Sequence, residues 1–483
     1  MSNKLPKGIQ ELVRRAKQND FFAVYELYRV YSQGDFGLEK DAAAAVRYLV
    51  QLQDLAKNSP FYLTKLKLKD FRLFKDFSLD FDKQLTVIIG NNGAGKTTIL
   101  EAVAKCLSWV SARMLTATGK GSPIVEHDIR NELNVSGVSE QQSYAEITSY
   151  FDLSSDKFDL TLAKAREGFS GRVGSNVQYS ETLGEVYRLL GKNNLVPLPF
   201  FAFYSVGRTL KNSSSKSFPV AKMSSRFAGL NDGMVAGSNL DRFFSNYIVL
   251  HNLAEDSDNK SKHQAQLSLL NGLLENAVEG VSDFKVKRPA GHDAIYVKHG
   301  QTEVEIWQLS DGQKVLLALV GDIALRLLTL NAGVEEPIKN SHGIVLIDEV
   351  ELHLHPKWQR QVIATLLEAF PKCQFIVTTH SPQIPGEIQA KHLRILSLVD
   401  EDNIRVSTPD QAYGLTSSAV LQELMGAADV NTEVNVKIEK IFELIDKDDF
   451  SAAKNRIAEL KKELKGDIPK LIEAESWLIM LED

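Results

Sequence analysis

LTVIIGNNGAGKTTILEAV, Leu85 to Val103, is the stretch on which the fold turns. Leu85-Thr86-Val87-Ile88-Ile89 is an apolar run of strand length, rich in β-branched residues. Gly90-Asn91-Asn92-Gly93-Ala94-Gly95-Lys96-Thr97 follows and satisfies G-x-x-x-x-G-K-[ST], and Thr98-Ile99-Leu100-Glu101-Ala102-Val103 opens a helix. A glycine-rich turn alone would explain the glycines. It would not explain a lysine and a hydroxyl at the first helical positions, directly after a buried strand. In this context the glycines let backbone N–H groups converge on phosphate at a helix N-terminus, Lys96 supplies a point charge, and the Thr97 hydroxyl is a ligand for Mg²⁺. The expected nucleotide-binding set is therefore Gly90 through Thr98, and the expected nucleotide is ATP.

A second strand of the same kind lies far downstream. Ile344-Val345-Leu346-Ile347 ends in Asp348-Glu349, the form of a buried parallel strand that delivers carboxylates to its C-terminal edge. Asp348 is expected to hold hydrated Mg²⁺, and Glu349 to act as general base toward water. Leu309-Ser310-Asp311-Gly312-Gln313-Lys314 opens an apolar helix, and this hexapeptide resembles the signature of ABC ATPases, with Asp311 where a glycine is usual. The resemblance implies that Ser310, Gly312 and Gln313 complete the γ-phosphate site of a second subunit. Glu351-Leu352-His353-Leu354-His355-Pro356 is similar to the element that follows the acid pair in this ATPase class, Val350 replacing its usual proline. A histidine pair beside acids could also be a metal site; the resemblance favours the ATPase element. By the same resemblance His380, in Thr378-Thr379-His380-Ser381-Pro382, contacts the γ-phosphate and joins Glu349 and Lys96 as a catalytic residue. Phe71-Arg72-Leu73-Phe74 matches an aromatic-basic step that flanks the base or simply fills the core. Gln141 and Gln142 precede the third strand, Tyr144 to Phe151, whereas the family's glutamine follows it.

Around these motifs the chain is read as five segments: 1–57, helical and tetratricopeptide-like; 58–155, the ATPase core with the P-loop; 156–300, a lid or insert; 301–410, the core with signature, acid pair and switch; and 411–483, C-terminal helices that dock a partner. The fold class is α/β, an ABC-type P-loop ATPase core with a short helical lid, flanked by helices at both ends. No sustained heptad separates Gly95 from Ser310, so long coiled-coil arms are not expected.

The whole-chain numbers bound the function. With 483 residues, 43% hydrophobic and 24% charged, no run approaches the roughly 18 apolar residues of a membrane span. The start, MSNKLPKGIQELVRRAKQ, lacks an apolar core and a small-residue cleavage site, which reads as a cytoplasmic protein. Cys106 and Cys373 sit in apolar stretches and suit buried thiols. Net charge is −6, so DNA contact requires a local basic surface. Arg208, Lys211, Lys216, Lys222 and Arg226 are the candidate, with no acid among them; the alternative is a solvated lid loop whose charge is incidental.

Taken together, the helical repeat, short-lid core and helical tail resemble PtuA-type ATPases of the Septu and retron-associated anti-phage systems. That resemblance implies a homodimer or larger homo-oligomer and an HNH nuclease partner of the PtuB type. In the retron versions it adds a reverse transcriptase with its RNA–DNA product. The alternative is a stand-alone DNA-repair ATPase of the RecF or SMC type.

Overall fold

A computed structural model describes residues 6–133, 138–171, 173–208, 225–235, 241–256, 260–289, 293–400, 403–427 and 432–482. The chain forms two units, Met1–Gly414 and Leu415–Asp483.

In the first unit the strands build two main sheets. β1 (Phe61–Phe71), β2 (Phe74–Asp80), β6 (Tyr144–Leu153) and β7 (Asp156–Ala165) form an antiparallel sheet in the order β2-β1-β6-β7, with β3 (Leu85–Gly90), β4 (Asn131–Leu133) and β5 (Ser139–Gln141) between them in the chain. The second sheet runs β15-β14-β3-β13-β12-β8, where β8 is Phe200–Tyr204, β12 Gly343–Ile347, β13 Cys373–Thr378, β14 Leu393–Asp400 and β15 Asn403–Ser407. Its strands are parallel except β15. A parallel sheet is covered on both faces, so its strands lose the in-out alternation. Every residue of β3, β8, β12 and β13 is buried accordingly. The side chain of Gln374, in β13, is a buried polar link between the sheets: Oε1 accepts from Leu63 N at 2.9 Å, and Nε2 donates to Leu63 O at 2.7 Å and Asp82 O at 2.8 Å. A small sheet of β9 (Val281–Lys287), β10 (Ala294–His299) and β11 (Thr302–Glu305) completes the strands.

The N-terminal helices α1 (Lys7–Ala16), α2 (Phe21–Gln33) and α3 (Ala42–Asn58) do not stand free. Asp20 and Asp41 cap α2 and α3, each carboxylate accepting an N–H three residues on. Phe22 packs edge-on against Phe158 of β7, Phe21 N donates to Asp156 at 2.5 Å, and Tyr25 OH donates to Glu185 at 2.8 Å. Two helices, α4 (Lys96–Leu115) and α5 (Gln178–Leu190), pack against each other, α4 starting at the glycine loop. The insert helices α6 (Asp241–Asp256) and α7 (Lys260–Ala277) lie against α8 (Asp311–Leu330). Almost all of α8 is buried, as its near-uniform apolar sequence requires. Its two internal charges are paired: Arg326 Nε meets Asp322 at 2.7 Å, and Tyr204 OH donates to the same carboxylate at 2.8 Å. The four-residue α9 (Pro337–Asn340) and the fourteen-residue α10 (Pro356–Ala369) follow in this unit.

The sequence reading placed residues 156–300 in a lid; two strands of that span belong to the core instead. β7 is an edge of the antiparallel sheet and β8 an edge of the parallel one. Phe200–Tyr204 is a short, wholly apolar run, and such a run carries no period that distinguishes a buried strand from a buried helix.

The second unit begins with a short helical segment, α11 (Ser417–Ala419), which runs on into a π-turn, Val420–Leu424; its longer helices among the described residues are α12 (Thr432–Asp446), α13 (Phe450–Leu464) and α14 (Pro469–Glu482). Ile438, Ile441 and Ile445 meet Ala453, Ile457 and Leu460, and Leu471, Ala474 and Leu478 close the core.

His342, directly before β12, is buried, and burial together with the Lys372 charge pushes its pKa down to about 4. The unfolded chain therefore binds a proton that the folded chain refuses. His342 stabilises the fold fully above pH 6.5 and progressively loses that contribution as pH falls toward 4, on the order of 3 kcal/mol in all. Denaturant midpoints measured between pH 7 and 4.5 should fall more steeply for wild type than for His342→Leu; parallel slopes would remove His342 as a cause.

Candidate functional site

The parallel order of β3, β13, β12 and β8 brings four strand ends to one edge, where hydrogen bonds gather Thr97, Asp348 and Glu349, with His380 just past β13. At the end of β3 the backbone turns through Gly93 at φ +79° and Gly95 at φ +92°, a region that side chains disfavour. A Cβ on Gly95 would also meet Phe74 at 2.5 Å. Ala94, Lys96 and Thr98 are buried under the loop, whereas Asn91, Asn92, Gly93 and Thr97 are exposed. Lys96 Nζ donates to Gly90 O at 2.7 Å and Asn91 O at 3.0 Å. Burial lowers its pKa, and the charges of Asp348, Glu349 and Glu351 oppose that shift.

Asp348 is the hub of the edge. Its Oδ2 accepts from Thr97 Oγ1 at 2.8 Å, and its Oδ1 accepts from Thr378 Oγ1 at 2.5 Å. Its backbone N–H donates to Tyr204 O at 2.8 Å, joining β12 to β8. The Thr378 hydroxyl also accepts from Glu349 N at 2.8 Å, and Val350 N donates to Thr378 O at 3.0 Å. Glu349 stands at φ +48°, in the left-handed region, which costs a side-chain-bearing residue about 1–2 kcal/mol. His380 is half-buried just past β13, and its N–H donates to Glu351 Oε1 at 2.5 Å. The second oxygen of Glu351 is buried with no hydrogen-bond partner among the described residues.

The signature residues are held by other partners. Ser310 caps α8 in a reciprocal box: its Oγ accepts from Gln313 N at 3.4 Å, and Gln313 Oε1 accepts from Ser310 N at 3.2 Å. Gln313 Nε2 lies 3.2 Å from His299 Nε2. Asp311, where the family has glycine, points to solvent and pairs with Lys314 at 2.9 Å. Gly312 is buried against the turn after the acid pair, where a Cβ would meet His353 O at 2.9 Å and the Trp358 ring at 3.0 Å. Ser310 itself is exposed at the helix start.

Two open readings narrow and one expectation changes. Phe71 and Phe74 are core residues, 0% and 2% exposed, while Arg72 between them binds Asp128 at 2.8 Å and pairs with Glu101. Gln141 and Gln142 spend their amides on Glu126 O and Glu132, away from the Asp348 edge. The basic stripe loses its two ends. Arg226 is wrapped by the carbonyls of Leu330, Asn193 and Val196, and Arg208 is 1% exposed, its guanidinium donating to the carbonyls of Asp348 and Glu349. Lys211, Lys216 and Lys222 lie outside the described residues. Both arginines satisfy backbone carbonyls in place of phosphates, a use that charge counting along a sequence does not reveal. Thr378 and Arg208 are the site contacts that sequence reasoning did not assign.

Among known families, the AAA domain matches residues 65–285. A second AAA domain, described together with the AbiEii toxin of a type IV TA system, matches residues 188–384. The chain is 30% identical over 467 residues to the retron Vc95 probable ATPase of Vibrio cholerae serotype O1 biovar El Tor, covering 86% of this chain and 89% of the relative. It is 28% identical to the retron Ec83 probable ATPase of Escherichia coli, over 89% of this chain and 88% of that one. With the Septu protein PtuA of Bacillus mycoides (strain KBAB4) it shares 23% identity, over 80% of this chain and 47% of that protein. Fold and strand-edge geometry define a nucleotide-binding P-loop ATPase of the ABC type. The chain belongs to the family of retron and Septu PtuA-type ATPases, which are associated with defence systems. Among the described residues no helix is long and apolar enough to cross a membrane.

Thr378→Val keeps the side-chain volume and leaves Asp348 Oδ1 and Glu349 N short of a partner in a buried place. Denaturation should show a loss on the order of 1–3 kcal/mol, with Thr378→Ser recovering most of it. A valine variant as stable as wild type would mean that the hydroxyl is dispensable.

Proposed function

We propose that the chain is the ATP-binding and ATP-hydrolysing subunit of an anti-phage defence complex in which nucleotide state controls a partner HNH nuclease of the PtuB type. The names of the relatives support the defence setting, and the retron relatives support a reverse transcriptase with its RNA–DNA product as a further member. The observation that carries the enzymatic part is the bonded series Thr97–Asp348–Thr378–Glu349 at one sheet edge.

In this reading Lys96 and the N–H groups from Gly90 to Thr98 bind the phosphates. Thr97 and Asp348 offer a hydroxyl and a carboxylate already 2.8 Å apart, the hard oxygen donors that suit Mg²⁺, and these two would hold it. When bound, the ion supplies charge neutralisation on the phosphates. Glu349 takes the proton of the attacking water, and His380 contacts the γ-phosphate from the end of β13. Ser310, the Gly312 amide and Gln313 serve a second copy of the chain, so the working unit is a homodimer or a larger homo-oligomer. The exposed position of Ser310 at a helix N-terminus favours this, because such an end attracts anions.

Lys96→Ala should abolish nucleotide binding. Glu349→Gln should keep binding and lose turnover by a factor on the order of a hundred or more, and should run as a dimer with Mg-ATP in light scattering. Equal hydrolysis by wild type and Glu349→Gln would remove Glu349 from this role, and a strict monomer would remove the shared site.

The C-terminal unit is assigned to the nuclease partner. Beyond the core side chains it presents Ile472, Trp477, Ile479 and Met480 of α14 to solvent, more apolar surface than one short helix needs for its own bundle. A chain truncated at about residue 430 should fold, hydrolyse ATP and fail to copurify with the nuclease; retained copurification would sink the docking role.

A further inference from the structure

Glu349 is pinned at both of its peptide groups. Its N–H donates to the Thr378 hydroxyl at 2.8 Å, and its carbonyl accepts from Arg208 Nη2 at 2.5 Å. Between these two anchors the residue holds φ +48°, a conformation that persists in a side-chain-bearing residue only where the surroundings over-determine it. The Cα–Cβ bond of Glu349 therefore leaves the strand in a direction set by two hydrogen bonds, one from β13 and one from the turn after β8.

Arg208 is unusual in how it is held. It follows β8 by one turn, with its own N–H on Ser205 O at 3.1 Å. Nη1 bonds the Asp348 carbonyl and lies 3.2 Å from Ser205 O, and Nε is buried with no partner among the described residues. Three carboxylates, Asp348, Glu351 and Glu349, act on it through space, yet none is hydrogen-bonded to it in the described contacts; burial brings its pKa down to about 10. A buried cation whose fork is spent on backbone carbonyls, the consecutive pair of Asp348 and Glu349 and, more weakly, Ser205 O and Tyr204 O, is a poor packing element, because an apolar side chain of similar volume would fill the space without the desolvation cost. What the planar fork supplies, and an apolar chain does not, is a fixed relation between the carbonyls of Asp348 and Glu349.

We propose that Arg208 is a positioning residue for hydrolysis: its guanidinium bridges the Asp348 and Glu349 carbonyls and so holds Glu349 in the left-handed conformation that aims its carboxylate. The proposal rests on the reading of Glu349 as the general base. It makes the turn after β8 part of the hydrolytic geometry, so that the insert and the acid pair are joined through one side chain.

The test is steady-state hydrolysis and nucleotide affinity for Arg208→Met, Arg208→Lys, Glu349→Gln and the double variant Arg208→Met/Glu349→Gln, each in the full chain. Arg208→Met should lower kcat roughly 10- to 100-fold while KM and nucleotide Kd stay within about threefold, the size of effect expected from a misdirected base. Arg208→Lys, able to hold one carbonyl at a time, should recover part of the loss. In the double variant the methionine should cost nothing beyond Glu349→Gln alone, because the group it aims is already gone. Wild-type kcat in Arg208→Met, or a multiplicative loss in the double variant, overturns the proposal. If Arg208→Met does not fold, Arg208→Lys decides: a wild-type kcat in the lysine variant overturns it equally. Glu349→Gln separates the two claims. Wild-type hydrolysis in that variant defeats the reading of Glu349 and this inference with it, whereas an inactive Glu349→Gln beside wild-type-like Arg208 variants defeats this inference alone.

Discussion

Two hydroxyls, from the first turn of α4 and the last residue of β13, converge on the carboxylate at the end of β12. Thr97 and Thr378 occupy the two oxygens of Asp348, and its own N–H reaches back to Tyr204 on β8. A carboxylate that accepts on both sides in a buried place cannot move without leaving charge unsatisfied, so it fixes the relative height of the strands it joins. The loop at β3, the acid pair at β12 and the switch at β13 are adjustable parts only relative to that anchor.

Behind the edge, the support is apolar with a few satisfied polar exceptions. Tyr204 has one end in the Asp348 backbone bond and the other, its hydroxyl, on Asp322 of α8, where Arg326 completes the pair. Removing either partner of such a buried pair leaves an uncompensated charge, so α8 has one seating against β8. Gln374 does the same between the two sheets, its amide holding both backbone groups of Leu63. The polar residues inside this core are register marks more than sources of adhesion.

What could be read from the sequence divides along the same line. Leu85–Thr97 and Ile344–Glu349 were legible because every feature lies within a dozen residues: an apolar run of strand length, a loop with its glycines, two acids at a strand end. The parallel pairing of β3, β13 and β12 agrees with the buried, mostly apolar character of those strands. Arg208 was legible only as a charge beside a serine-rich stretch, and its partners are about 140 positions away. Arg226 misleads for the same reason, since carbonyls that wrap a guanidinium have no sequence signature. β8 escaped notice because Phe200–Tyr204 is uniformly apolar, and Thr378 because a hydroxyl at a strand end is common; its importance comes from Asp348 lying opposite. The segment boundaries suffered most, the reading at 156 falling on the first residue of β7.

Gly312 bears on behaviour as well as on packing. The first turn of the signature helix rests on the His353 carbonyl and the Trp358 ring, with no room between them for a methyl group. Under the proposed function, in which two copies share their sites, one subunit's signature would serve the partner's nucleotide while its own acid pair, ending four residues before His353, would serve its own. A shift of that turn at one nucleotide is thus transmitted by contact to the other, in the manner of a see-saw. Two sites joined in that way would fire in relation to each other, and the ATP saturation curve would depart from a simple hyperbola.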